Sequence, residues 1–142
     1  MKSAILLLAC LLVFTTAFIE IQHNNGDDVL KELKKRNNGV IVVLFEVEAE
    51  VGTDLAQTNY DYEYHLIHKV LNNYPSFKYA KVNVNDPSYK SIVKASGISI
   101  SDLYNAPSVL ISEDRDGEWI HGDQSLSLVA KTARIYNERA ED

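Results

Sequence analysis

Cysteine is the scarcest chemistry in this chain: among 142 residues there is one, Cys10, and it lies inside an apolar stretch at 4–14. A single thiol cannot close an intramolecular disulfide or run a dithiol exchange cycle. Cations are also short, with 14 Lys and Arg against 20 Asp and Glu and a formal net charge of −6. A phosphate backbone would be repelled by that balance, which excludes nucleic acid as a partner class. Nor is there a long hydrophobic run, since the apolar stretch falls short of the roughly 20 residues that span a bilayer. No N-glycosylation acceptor, internal repeat or low-complexity tract is present.

What the N-terminus does contain is Lys2, the apolar run, and then Thr15-Thr16-Ala17, with small residues at the two positions that a signal peptidase reads. Residues 1–17 are expected to be a secretory signal peptide, leaving 18–142 as one domain. Cleavage would remove Cys10 and, with Lys2, make the chain one unit more negative. The expected location is the secretory pathway, in the endoplasmic reticulum lumen or outside the cell, with no membrane association after cleavage.

Along the remainder, residues 18–22 suit a short first strand. Asp27 or Asp28 is placed to cap a helix carrying Val29, Leu30 and Leu33, and Asn37-Asn38-Gly39 ends it. The basic cluster Lys31, Lys34, Lys35 and Arg36 shares that helix with acids and reads as a solvated face. "VIVVLF" at 40–45 is apolar on both faces, as a central strand covered from both sides must be. After Phe45 the pattern changes to alternation, with Glu46, Glu48 and Glu50 on one side. Asp54 is the expected N-cap of a helix running to about Asn73, with Gln57 reaching back; Tyr60, Tyr62 and Tyr64 cannot all be buried on it. A strand at 77–85 leads to Asp86-Pro87, a cap followed by proline in the first helical turn. Gly97 stops that helix. A strand at 107–112, a turn at 114–117 and a return strand at 118–121 form a hairpin, and a helix at about 124–138 closes the chain.

This order, β-α-β-α-β-α-β-β-α, resembles the thioredoxin fold. "AKVNVNDPSYKSIVKASGI" is similar to the strand and short helix before the proline loop of thioredoxins and protein disulfide isomerases. "APSVLIS" is similar to the segment that carries their cis-proline, with Gly117 at the hairpin and Gly122 before the last helix. The resemblance implies an α/β thioredoxin-like three-layer sandwich, a central mixed β-sheet with helices on both faces, and a cis bond before Pro107. Aligned without gaps, the two cysteines of the family motif fall on Glu50 and Thr53, or on Val51 and Asp54 after a one-residue slip. The buried acid of the family falls on Leu44. Disulfide exchange needs a thiolate, and no oxygen side chain replaces it.

The expected function is therefore a redox-inactive, non-catalytic domain without cofactor that binds a polypeptide, as a chaperone-like or adaptor module. Its groove would comprise Glu50, Val51, Gly52, Thr53, Tyr60, Ala106 and Pro107. Two alternatives stand beside it: a structural component of a secreted or stored assembly, and a hydrolase that uses the glutamates as acid and base. His65 and His68, three apart on a helix with Glu63 and Glu48 as companions, lack the further ligand a zinc site requires. Asp114-Arg115-Asp116-Gly117 is turn chemistry, not a calcium loop.

Overall fold

A computed structural model of the chain describes residues 18–121 and 125–141, so the expected signal peptide, Cys10 and Gly122 lie outside the described residues. Five strands form one sheet: β1 (Ile19–Glu20), β2 (Val40–Glu46), β3 (Lys78–Asn83), β4 (Ser108–Glu113) and β5 (Asp116–His121), in the order β1-β3-β2-β4-β5. β3 runs parallel to both β1 and β2, whereas β4 is antiparallel to β2 and to β5. The run at 40–45 is central, as its two-sided apolar pattern predicts.

Among the described residues four helices sandwich the sheet: α1 (Gly26–Lys34), α2 (Asp54–His65), α3 (Lys90–Ser96) and α4 (Ser125–Glu141). α2 continues through a π turn at Leu66–Val70 and a 3-10 turn at Leu71–Asn73. The wider π turn lets Val70 and Leu71, adjacent in sequence, both turn inward to near-complete burial. Because side chains alternate along a strand, β2 feeds two separate cores. Val42 and Leu44 pack with Tyr62, Leu66, Val129 and Tyr136 under α2 and α4. Ile41, Val43 and Phe45 pack with Val29, Val82 and Ile92 under α1 and α3.

The element boundaries correct several sequence expectations. Asn25, not Asp27 or Asp28, caps α1, its side chain accepting from Asp28 N at 3.0 Å. The Asp carboxylates fall instead in the first helical turn, where the positive end of the helix dipole favours them. Asp86 caps the 3-10 turn Pro87–Tyr89 as expected, and Gly97 ends α3 in the left-handed conformation at φ 67°. The hairpin turn is tighter than expected. Asp114 and Arg115 alone make it, both at positive φ (48° and 76°), and Gly117 belongs to β5 opposite Ser112.

Such a two-residue turn matches the twist of the strands it joins, but the left-handed region costs a non-glycine residue about 1–2 kcal/mol. Here the turn is tied to the end of α1. Asn37 N donates to Asp114 Oδ1 at 2.6 Å, and Arg115 Nε donates to the Lys34 carbonyl at 3.0 Å. Among the described residues no helix is long and apolar enough to cross a membrane.

Candidate functional site

The stretch that opens α2 begins where β2 leaves the sheet. Val47 is the last buried residue, and the buried Asn59 of α2 fastens it by donating from Nδ2 to the Val47 carbonyl at 2.8 Å. The chain then turns at Gly52, whose φ of 94° suits glycine. Thr53, not Asp54, is the N-cap. Its Oγ1 accepts from Ala56 N at 3.2 Å and donates to the Glu50 carbonyl at 2.7 Å, while Thr53 N donates to that same carbonyl at 3.2 Å. Gln57 does not reach back; it bonds Asp61 one turn further on, at 2.8 Å. Asp54 stands at the first helical position, adding negative charge to the positive helix end.

With the Thr53 hydroxyl and the Glu50 carbonyl engaged in the cap, the apolar side chain of the turn is left outward: Val51 is 100% exposed. Val51, Gly52, Thr53, Ala56, Gln57 and Tyr60 surround an open recess of about 600 Å³. Tyr60 is 66% exposed and stacks on Tyr64 with ring centroids 6.3 Å apart, and Tyr64 in turn lies 4.2 Å from the His68 ring. Tyr62, on the opposite face of the helix, is buried.

The structure thus brings together Val51, Gly52, Thr53 and Tyr60, and separates them from the rest of the expected groove. Glu50 is exposed but does not line the recess. Ala106 and Pro107 are both buried, and Ala106 faces a different hollow, of about 300 Å³, with Thr58, Asp61, Tyr62, His65 and Asn105. The Ala106–Pro107 bond is trans, since no peptide bond among the described residues is cis. The expected cis-proline loop is therefore neither cis nor open. The physical reason lies in the preceding segment: Ile100–Tyr104 forms a 3-10 turn anchored by the fully buried Leu103. Residues 105–107 join that turn to β4 through a trans bond, the isomer that an X-Pro bond ordinarily prefers by about 0.5–1 kcal/mol.

The three glutamates have three different surroundings. Glu50 lends its carbonyl to the cap, and Glu48 is exposed and accepts from Asn83 Nδ2 at 2.9 Å. Glu46 is turned inward, its side chain 12% exposed and 3.9 Å from Lys81 Nζ. Burial pushes the Glu46 carboxyl up from its ordinary value; Lys81 works against the rise, and Glu63 and Glu48 add to it. Neither Glu48 nor Glu50 faces the recess, so the acid-base pair that a hydrolase would need is not assembled there.

Glu63, proposed beside the histidines, serves a different purpose. It accepts from Tyr79 OH at 2.6 Å and from Lys81 Nζ at 3.1 Å, clamping α2 to β3. Burial and the Glu63 charge raise the Tyr79 phenol well above its usual value, so it stays a donor. Burial opposes the charge on Lys81, but the neighbouring Glu63 and Glu46 hold its ammonium pKa up. Sequence reasoning missed this tetrad. The signal was present in Tyr79 and Lys81, two apart on one strand, but their partners come from other elements. Among the described residues no group of three or more His, Cys, Asp or Glu is placed to hold a metal ion.

No protein-family model matches the sequence, and no curated protein matches it. Solved structures do match the fold. Thioredoxin O2 from Arabidopsis thaliana superposes with a TM-score of 0.59 at 14% identity, covering 85% of this chain and 96% of its own. Mitochondrial thioredoxin 3 from Saccharomyces cerevisiae gives 0.57 at 17% identity, covering 84% and 95%. Fasciola hepatica thioredoxin gives 0.52 at 15% identity, covering 84% and 99%. The expected fold is the observed one, and with a single cysteine in the sequence it carries no Cys-x-x-Cys pair.

Proposed function

We propose that this thioredoxin-like chain is a binding module of the secretory pathway that holds polypeptide at the head of α2 and performs no thiol chemistry. Residues 1–17 are the signal that would deliver it there. The observation that carries the reading is Val51, wholly exposed beside Tyr60 at a helix start where Thr53 and the Glu50 carbonyl are engaged in the cap. An apolar residue with no internal use, next to an aromatic that can lie flat on a partner, suits contact with extended polypeptide. With the proline loop buried, binding rests on this turn alone.

The test is saturable binding of an unfolded, fluorescently tagged polypeptide. Val51→Asp should weaken it at least tenfold and Tyr60→Ala several-fold, while catalysed insulin reduction stays at background. Absent saturable binding, or a Val51→Asp variant equal to the parent, refutes the polypeptide reading. Expression in a secreting cell should yield a chain beginning at Phe18; a full-length intracellular product refutes the location.

A second reading, assembly with other copies, is supported by the exposed row of Tyr60, Tyr64 and His68 along α2. It predicts self-association in sedimentation that Tyr64→Ala abolishes and Val51→Asp does not.

A further inference from the structure

The sheet face opposite α2 and α4 carries a second hollow that the polypeptide reading does not use. It is about 370 Å³ in volume and lies between the C-terminal ends of α1 and α3 and the β4-β5 hairpin. Its walls are largely apolar, with Leu30 and Leu33 from α1 and Leu110 and Trp119 from the hairpin, and Ser96 and Ser112 beside them; the exposed Lys34 and Arg115 complete the lining. Trp119 is backed by the fully buried Phe45, ring centroids 5.0 Å apart. Gly117 contributes by lacking a side chain. A Cβ there would come within 2.9 Å of Leu110 Cδ1 and 3.1 Å of the Ile111 carbonyl, so the glycine is what allows Leu110 to lean across β5.

The two rim cations are the informative feature. Neither Lys34 nor Arg115 forms an ion pair among the described residues, although acidic side chains outnumber basic ones in the chain, 20 to 14. Arg115 is set at this rim by the left-handed turn and by its bond to the Lys34 carbonyl, which uses Nε. An apolar hollow of this size with a few charged groups at one edge has the make-up of a small-ligand site. Its polarity is that of an amphiphile with an anionic head, for which an arginine fork and an ammonium are the natural donors.

From this juxtaposition we infer that the hollow binds an aliphatic monocarboxylate of medium chain length. The tail lies against Leu33, Leu110 and Trp119, and the carboxylate meets Lys34 and Arg115. The site is independent of the turn at Val51, and the two stand or fall separately.

Trp119 is the only tryptophan in the sequence, so its emission reports on this wall. Octanoate, octanol and octylamine, equal in tail and different in head, are titrated into the full chain. Octanoate should shift the emission saturably, with octanol at least tenfold weaker and octylamine without effect. Lys34→Gln, at an exposed position that leaves the core intact, should weaken octanoate about tenfold and leave octanol unchanged. Ala95→Phe, an exposed lining residue enlarged to block the mouth, should abolish the response to every probe. Equal response to the three heads, an octanoate affinity untouched by Lys34→Gln, or a signal that survives Ala95→Phe each overturns the inference. Circular dichroism confirms that the variants are folded, and selective loss of octanoate alone in Lys34→Gln separates lost recognition from lost structure.

Discussion

The two faces of the sheet are built to different degrees of closure. Under α2 and α4 the apolar side chains of the outer strands, Val109, Ile111 and Ile120, are as deeply buried as Leu44 at the centre. Under α1 and α3 the centre is equally closed, with Val43, Phe45 and Val82 fully buried, but Leu110 and Trp119 on the outer strands are only partly covered. Helix length accounts for the difference. At about 1.5 Å per residue, the 17 residues of α4 reach about 25 Å, whereas the 9 of α1 and 7 of α3 reach about 14 and 10 Å. A long helix roofs both outer strands; two short ones leave Leu110 and Trp119 partly uncovered, and the hollow beside Lys34 and Arg115 is what remains. The two faces of one sheet thus differ in how far their outer strands are covered.

The sharpest way to break this comparison is to remove equal volumes from each side. Leu44→Ala on the closed face should cost about 2–5 kcal/mol in urea unfolding. Leu110→Ala, already facing the hollow, should cost less than half of that. Equal costs would mean that the open face is as tightly packed as the closed one. Next in size is Gly117→Ala, expected to lose about 1–3 kcal/mol by forcing Leu110 off the strand; an unchanged thermal midpoint would show that Leu110 has room to move.

Thr53→Ala removes the cap of α2, the helix that closes the first face, and should cost about 1 kcal/mol in unfolding, with Thr53→Ser restoring most of it. If Thr53→Ser were no better than alanine, the cap bond would not be the cause.

The smallest effect concerns pH. The Glu46 carboxyl is held above its ordinary 4.5 mainly by burial. A group whose folded-state pKa is raised contributes stability below its unfolded value, and that contribution is lost as pH rises through the folded value. Ionised Glu46 is therefore a burden at neutral pH. Glu46→Gln should gain stability relative to the parent as pH rises from about 4 to neutrality, read as the difference in urea midpoints. A growing deficit over that range would show instead that the Lys81 contact dominates. Glu32 runs the other way: hydrogen bonds from Lys35 and Asn38 hold its carboxyl below the ordinary range, so its contribution is present above that range and lost as pH falls through its folded value.

Much of the fold was legible because local chemistry specifies it. The β-branched run at 40–45 had to be a central strand, Asp86-Pro87 had to open a turn, and Gly97 had to end a helix. Where the expected helix starts missed, they missed by one to three residues and for one reason. Several neighbouring side chains are able to cap a helix, and contacts outside the helix choose among them: Thr53 prevails over Asp54 because it also engages the Glu50 carbonyl. The candidate site was only half legible. The turn at 51–53 and Tyr60 come together through a helix spacing that sequence displays. The burial of Pro107 follows a segment, Ile100–Tyr104, whose 3-10 turn and buried Leu103 no local pattern reveals.

By itself, then, the sequence determined the order of elements, the central strand and the lack of a second thiol, since periodicity, capping and composition belong to each segment alone. Tertiary structure decided which of the glutamates is buried, that the proline loop is closed and trans, and that two cations meet over an open apolar wall. Those outcomes turn on the lengths of helices against the width of the sheet, and on partners far apart along the chain.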